Sequence, residues 1–248
     1  MADFNENENI NENINENIGE NASAQVLDAE LDKEKAEEQK AKSVGREIFE
    51  WVYSIVIAIA VAMLIKGFLF DIVKVDGQSM ENTLFHNNRL IVTKLGYSPE
   101  QGDIVILDSN YTRRMEYFDN LALREGKEDL SFFEKLTKSI SLPQSCKKVY
   151  YVKRVIATEG QTVDIHDGVV YVDGEALDEP YAKGVTYPTD MSVKYPVTVK
   201  EGYVFVMGDN REHSSDSRVS SLGQVNEKAL LGKSQLRVFP FNQIGITR

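Results

Sequence analysis

The sequence predicts a mainly β domain over residues 71–248, preceded by one transmembrane helix. A single apolar stretch covers residues 51–70, and short runs rich in β-branched residues follow it, separated by glycine-containing turns. With 248 residues, 42% of them hydrophobic, the chain is long enough for one substantial core plus appended segments.

The first 42 residues are predicted to form a disordered, acidic tail in the cytoplasm. Residues 5–18 contain a repeated Asn-Glu-Asn-Ile unit with a period of four. The isoleucines of this repeat would share one face of a helix, but they bury too little area to offset the entropy lost on ordering.

Residues 46–70 are predicted to form a membrane anchor. The stretch WVYSIVIAIAVAMLIKGFLF (51–70) contains one charge, Lys66, and a helix of this length rises about 30 Å, the thickness of the hydrocarbon layer. A buried core helix is the alternative, but a helix that is apolar on every face suits lipid better. A cleavable signal peptide fits poorly, because no small-x-small site follows the stretch.

Basic residues on the two sides of the stretch bear on its orientation. Lys40, Lys42 and Arg46 precede it, whereas Lys66 and Lys74 are the basic residues at its other end. This balance favours a single-pass protein of the cell membrane with a cytoplasmic N-terminus and an extracytoplasmic β domain.

Seven runs in the β domain have the length and composition of strands. They are Ile72–Val75, Arg89–Thr93, Asp103–Leu107, Val149–Ala157, Thr162–Ile165, Val169–Val172 and Tyr203–Met207. Turn dipeptides at Asp167-Gly168 and Asp173-Gly174 predict a hairpin followed by a second turn.

Two segments interrupt the β pattern and are predicted to be inserts. Within residues 109–147, apolar residues recur at helical spacing, so this insert is expected to be partly helical. These residues are Phe132, Phe133, Leu136 and Ile140. The second insert, residues 178–198, contains three of the six prolines and is expected to be irregular.

Composition excludes several classes of function. A formal net charge of −11 argues against nucleic acid as a partner, because phosphate binding needs a basic surface. Three histidines and one cysteine, Cys146, cannot build a Cys-rich zinc site or an internal disulfide. We therefore expect neither a metal nor another cofactor.

Three segments contain candidate chemistry, and each also has an ordinary structural interpretation. Ser79 follows Gly77 in a predicted turn (75–84), where a serine is commonly a solvated turn residue. Lys153 and Arg154 interrupt an apolar run, and strand alternation predicts that one points inward and the other away, although an edge-strand lysine that blocks aggregation is the alternative. The loop at 206–225 is dense in Asp, Ser and Arg, which is also typical of a self-bonded turn network.

Together, these segments resemble the sequence boxes of bacterial type I signal peptidases. GQSMENTL is similar to the family's nucleophile box, QGDIVIL to a structural strand, YVKRVIATEGQTV to the lysine box and GDNREHSSDSR to the closing box. The match covers most of residues 50–240 in the family's order. The resemblance implies a mostly antiparallel β fold and a membrane-bound serine endopeptidase that removes signal peptides from exported preproteins after a small-x-small site.

The resemblance also implies roles for individual residues. Ser79 would be the nucleophile and Lys153 the general base, with Ser214 hydrogen-bonded to the lysine amine. The other implied site residues are Asp216 and Arg218 as an ion pair, Asp209 and Asn210 on the preceding tight turn, Gly77 beside the oxyanion hole, and Met80, Tyr151 and Val152 at the substrate. Substrate would bind as an extended strand, and the bilayer and the secretion translocase are further expected partners.

A lysine can act as a base only when it is neutral. With an unperturbed pKa of about 10.4, roughly one lysine in a few thousand is neutral at pH 7. The pKa of Lys153 must therefore fall by about two to three units, and desolvation among apolar neighbours is the available means.

The chain departs from the family's pattern at two positions. Gly77 stands where some members have a hydroxyl that helps bind the oxyanion, which leaves the second donor open. Glu81 stands where many relatives have proline, so the turn beside the nucleophile is less preorganised.

Three alternatives stay open on the sequence. The first is a Ser–His–Asp hydrolase that uses Ser79, His213 and Asp209 or Asp216. The second is a membrane-tethered β domain that binds partners without catalysis. The third is a family member dedicated to a narrow substrate set, such as pilus subunits.

Overall fold

The computed structural model describes residues 49–63, 67, 69–94 and 96–247. Residues 49–63 are helical (α1) and belong to one compact unit, while the β domain forms a second. Within the described ranges, no helix has both the length and the apolarity needed to cross a membrane. The predicted span at 51–70 includes residues 64–66 and 68, and these, like the predicted tail at 1–42, lie outside the described ranges.

The described part of the β domain contains twelve strands. They are β1 (Phe70–Lys74), β2 (Arg89–Thr93), β3 (Ile104–Asp108), β4 (Tyr150–Ala157), β5 (Thr162–His166), β6 (Val169–Val172), β7 (Glu175–Ala176), β8 (Val197–Thr198), β9 (Tyr203–Met207), β10 (Val225–Asn226), β11 (Leu230–Phe239) and β12 (Gly245–Ile246). Two helices, α2 (Tyr111–Arg124) and α3 (Phe132–Lys138), lie between β3 and β4.

The strands form two antiparallel sheets. The larger has the order β1-β2-β11-β3-β4-β9-β10, with β12 paired to β11, and the smaller has the order β7-β6-β5-β8. All strand pairs between these named elements are antiparallel, which confirms the mainly antiparallel β prediction.

The centre of the large sheet is buried on both faces, which fixes the position of its strands. All five residues of β3 are buried. Ile104 and Ile106 pack into one apolar cluster, and Val105 and Leu107 pack into another on the opposite face. The first cluster also contains Met80 from the segment that follows β1, so the segment around Ser79 is anchored in the core.

The predicted strands correspond to observed ones within one or two residues, and the predicted hairpin joins β5 and β6. Asp167 and Gly168 have φ of +53° and +81°, as a tight turn of this kind requires. The long strand β11 was not predicted, because its sequence mixes polar residues with Gly232. That glycine lies against β2: an added Cβ would lie 1.9 Å from the carbonyl oxygen of Thr93.

The first insert is partly helical, as predicted, because it contains α2 and α3. It has a small core of its own, formed by Phe118, Ala122, Leu130, Leu142 and Cys146. The second insert is irregular except for β8, which pairs with β5.

Candidate active site

Ser79 lies in a tight turn directly after β1, which we call the nucleophile turn (77–84). Gly77 has φ of +100°, a conformation that side chains other than glycine rarely adopt. The amide of Leu84 donates to the carbonyl of Met80 at 2.8 Å, and Met80 itself is buried. The turn therefore holds Ser79 over the core of the large sheet.

Asn210 connects the nucleophile turn to the loop after β9. Its amide donates to the Ser79 carbonyl at 3.0 Å, and its side-chain Nδ2 donates to the Gln78 carbonyl at 3.1 Å. Asn210 is 1% exposed, so both bonds are shielded from water. This residue, predicted to shape a turn, also fixes the backbone of the candidate nucleophile.

Lys153 on β4 meets Ser79. Its Nζ lies 2.8 Å from Ser79 Oγ, and the lysine is 3% exposed. Burial lowers the pKa of Lys153 to about 8, although the nearby charges of Asp216 and Asp209 oppose this shift. At pH 7, about one lysine in ten with such a pKa is neutral, compared with one in a few thousand in water.

Arg154 is also buried, at 2% exposure, because both faces of the sheet are covered here. Lys153 pairs with Val105 and Arg154 with Ile104, so the two side chains point to opposite faces, as alternation predicts.

Arg154 Nε and Nη2 donate to Asp209 Oδ1 and Oδ2 at 2.9 and 2.8 Å, and Nη1 donates to the Gly102 carbonyl at 2.7 Å. Because Asp209 neutralises it, the guanidinium can stay in the interior. Asp209 also accepts a hydrogen bond from Thr83 Oγ1 at 2.5 Å, which ties this ion pair to the nucleophile turn.

Asp216 and Arg218 form a buried, bidentate ion pair in the segment 208–218, which we call the closing loop. Arg218 Nε and Nη2 donate to the two Asp216 oxygens at 2.8 and 2.9 Å. Burial alone would raise the pKa of Asp216, but the hydrogen bonds and charge of Arg218 outweigh it, so the pKa is lowered. Asp216 also accepts from the Gly208 amide at 3.0 Å, which fixes the start of the loop.

Ser214 does not form the bond predicted for it. Its Oγ is buried and makes no hydrogen bond to Lys153 in the described ranges, although its hydroxyl lies close enough to the Asp216 carboxylate to act on it. The hydroxyl instead packs against the backbone of Gly208, where an added Cβ would lie 2.3 Å from Ser214 Oγ and 2.4 Å from the Ser79 carbonyl oxygen. Gly208, which the sequence reasoning did not single out, thus brings Ser214 and Ser79 close together.

A groove of about 360 Å³ opens beside Ser79 and Lys153. It is lined by β1, the nucleophile turn and the first half of β4, and the predicted substrate residues Met80, Tyr151 and Val152 all belong to the lining. Among the described strands, β1 pairs only with β2, and β4 pairs with β9 only from Arg154 onward. Both strands therefore present an unpaired edge along the groove.

Comparison with known proteins identifies the family. The family model described as signal peptidase, peptidase S26, matches residues 48–239. The chain belongs to this signal peptidase family. Signal peptidase I of Bacillus licheniformis is 37% identical over 194 residues, covering 73% of this chain and 83% of that protein. Signal peptidase I T of Bacillus subtilis strain 168 is 33% identical over 198 residues, covering 75% and 82%.

A solved structure also matches this signal peptidase. The crystal structure of a signal peptidase I from Enterococcus faecalis V583 covers 55% of this chain and 97% of that chain, with 22% identity and a TM-score of 0.35. The family prediction is thus confirmed by the family model and by the curated relatives.

The histidines of this signal peptidase do not form the alternative triad. His213 is exposed, and no histidine in the described ranges hydrogen-bonds Ser79. The two candidate aspartates, Asp209 and Asp216, are held by Arg154 and Arg218.

Glu81, the departure from the usual proline, has an ion-pair partner in this signal peptidase. Its Oε2 lies 3.0 Å from Nζ of Lys183 in the second insert. The amide of Lys183 donates to the Asp209 carbonyl at 2.7 Å, and its carbonyl accepts from the Arg211 amide at 2.9 Å. The side-chain pair is partly exposed, so it adds little stability, but it connects the second insert to the nucleophile turn.

Breaking the Arg154–Asp209 pair is expected to destabilise the β domain. Arg154→Met leaves the fully buried Asp209 carboxylate without a cation, which costs about 3–5 kcal/mol of unfolding free energy. Urea denaturation of the purified protein, followed by circular dichroism, measures the loss. The double variant Arg154→Met/Asp209→Asn leaves no buried charge unpaired, so it should recover part of the lost unfolding free energy. A single Arg154→Met variant as stable as the wild type would contradict this prediction.

Proposed function

We propose that this signal peptidase cleaves exported preproteins after a small-x-small site, with Ser79 as nucleophile and Lys153 as general base. As a member of the peptidase S26 family, the chain is a serine endopeptidase that removes signal peptides. The observation that carries the assignment of the two residues is the 2.8 Å contact between Ser79 Oγ and a buried lysine amine. No feature of the described site favours a binding domain without catalysis.

In the proposed mechanism, neutral Lys153 takes the proton of Ser79 Oγ as the oxygen attacks the scissile carbonyl. The ammonium then gives that proton to the departing amine, the peptide bond breaks, and the ester of an acyl-enzyme remains. Lys153, neutral again, next takes a proton from water, whose oxygen attacks the ester. The proton finally returns to Ser79 Oγ, which releases the carboxyl product.

The charge that develops on the carbonyl oxygen needs hydrogen-bond donors. The Ser79 amide donates no hydrogen bond within the described ranges, so it is free to serve as one of them. Gly77 offers no hydroxyl at the position where some relatives have one, so we assign no second donor.

The substrate is proposed to bind as an extended strand in the groove. The unpaired edges of β1 and β4 supply backbone donors and acceptors along its length. Met80, Tyr151 and Val152 would contact side chains near the cleavage site. Because main-chain bonds are independent of sequence, specificity would come from small pockets that admit only Ala-like residues.

We also propose a single-pass anchor at 46–70, a cytoplasmic N-terminus and an extracytoplasmic β domain. The support is the apolar composition of 51–70 and the exposure of every residue in the described helix α1, including Trp51 at 73%. An anchored enzyme would share the membrane with its preproteins and with the secretion translocase, and this confinement raises their effective concentration.

A cleavage assay tests the proposed function. The full-length protein in detergent is incubated with a preprotein that contains an Ala-x-Ala site, and the new N-terminus is sequenced. Cleavage directly after the second alanine is expected. A preprotein whose two alanines are replaced by leucine should stay intact, and equal cutting of both substrates would refute the proposed specificity.

The pKa of Lys153 predicts the pH dependence of cleavage. Because the base must be neutral and its pKa is about 8, kcat/KM should rise about tenfold per pH unit below that value and level off above it. The profile is measured with a peptide substrate that has no group titrating in this range. A rate that is flat from pH 6 to about pH 9 would rule out a lysine of this pKa as the base.

A further inference from the structure

We propose that the first insert contains a second membrane-contact surface, which lies in the headgroup region of the bilayer. This surface, the insert face, consists of Phe132, Phe133, Leu136 and Ile140. It goes beyond the proposed function and rests on the proposed anchor only for the position of the bilayer.

The insert face is apolar and exposed. Its residues follow the spacing of one helical face, and they are 75%, 74%, 55% and 86% exposed. No residue of α3 is buried, nor is any in the 3₁₀ turn Ser139–Ser141 that continues it. Four neighbouring large apolar side chains in this state mark an interaction surface rather than scattered surface residues.

Polar contacts hold α3 with this face outward. Lys135 pairs with Asp129 at 2.7 Å, and Lys138 pairs with Glu125 at the end of α2. A capping box between Ser131 and Glu134 fixes the start of the helix. The residues that tie the insert to its own core, Leu130 and Leu142, lie outside α3, on either side of it.

The place where the insert leaves the sheet favours lipid as the occupant. The insert starts after β3 and ends before β4, where Asp108 pairs with Tyr150. Tyr150 and Asp71 line the same groove, and the pKa of Tyr150 is raised by burial and then by the charges of Asp108 and Asp71. Asp71 is the second residue of β1, the strand that directly follows the proposed anchor. The insert therefore leaves the sheet at the end where the chain would come out of the membrane.

The charge of the insert is compatible with a membrane surface. Residues 109–147 contain seven Lys or Arg and six Asp or Glu, so the insert is nearly neutral in a chain whose formal net charge is −11. Lys135 and Lys138 beside the insert face are paired with Asp129 and Glu125, so the face has no acidic excess that anionic headgroups would repel.

A site-specific fluorescence experiment tests the insert face. Ile140→Cys in the full-length chain is labelled with an environment-sensitive dye and reconstituted into phosphatidylcholine vesicles that contain phosphatidylglycerol. Met191→Cys in the second insert is the matched control, because Met191 has the same 86% exposure. Cys146 is 4% exposed, so the wild-type chain controls for background labelling. We expect the dye at 140, but not at 191, to shift its emission to shorter wavelength and to be quenched by nitroxide-labelled lipid.

The outcomes separate this inference from the proposed anchor and function. A chain that floats with the vesicles while its dye at 140 stays in water overturns the inference and leaves the anchor intact. A spectral shift that appears without vesicles and grows with protein concentration also overturns it, because a second copy would then cover the face. If the chain does not float with the vesicles, the proposed anchor is refuted. If the dye at 140 also stays in water in that case, the insert face is rejected as well.

A cleavage comparison gives a second measurement. Phe133→Ser/Ile140→Ser should lower the cleavage of a vesicle-inserted preprotein several-fold, with cleavage of a soluble peptide unchanged. An equal loss on both substrates would indicate a folding defect and overturn the inference, as would no loss on either.

Discussion

Lys153→Met is expected to lower kcat/KM for preprotein cleavage by about 10²–10⁴-fold, the usual contribution of a positioned general base. Methionine keeps much of the length and apolar character of the lysine stem but cannot accept the proton of Ser79. The same change removes a buried amine whose lowered pKa shows that its charge is disfavoured there. The variant should therefore be at least as stable as the wild type, which separates loss of catalysis from loss of folding.

Three comparisons make this result decisive. Ser79→Ala should lose as much activity as Lys153→Met, and the double variant should lose no more than either alone, because the two residues act as a unit. His213→Ala should cleave like the wild type, since His213 is exposed. If His213→Ala were the inert variant and Lys153→Met the active one, the Ser–His–Asp alternative would replace the proposed pair.

The strands that could be predicted are those whose burial is visible in their composition. β3 and β9 are continuous apolar runs because both faces of the sheet are covered, and such runs stand out in a sequence. β11 lies in the centre of the same sheet, but its polar residues and Gly232 leave it without the apolar run that would identify it as a strand. Its position depends instead on how it fits against β2. Tertiary fit, rather than local preference, decides such a strand.

The same division holds in the candidate site. The contact between Ser79 and Lys153 was predicted through the family resemblance, although 74 positions separate the two residues. The pairing of Arg154 with Asp209 was not predicted. Strand alternation indicates where side chains point, but it does not identify the distant partner that makes burial of a charge possible. The resemblance implied a hydrogen bond between Ser214 and the lysine amine that the structure does not contain, and Ser214 Oγ lies instead against the backbone of Gly208, whose position no local sequence pattern indicates.

That backbone gives the second large prediction: Gly208→Ala should lower kcat/KM by about 10²-fold or more. A Cβ at 208 would lie 2.4 Å from the Ser79 carbonyl oxygen, far inside contact distance. This oxygen belongs to the backbone and accepts the Asn210 amide at 3.0 Å, so it cannot rotate away. The nucleophile turn must move instead, and a displacement of about 1 Å between reacting groups is enough to cause such a loss.

Two further variants show whether the backbone of Ser79 is the cause. Gly245→Ala is the matched control, since an added Cβ there meets nothing within 4 Å, and it should keep wild-type activity. Gly208→Ala/Ser214→Gly removes the clashes with Ser214 Oγ and, at 2.6 Å, with Ser214 Cβ but keeps the clash with the Ser79 carbonyl, so it should stay as slow as Gly208→Ala. Recovery of activity in this double variant would instead assign the loss to the Ser214 side chain. Gly208 would then be required because it leaves room for Ser214, and not because it fixes the position of Ser79.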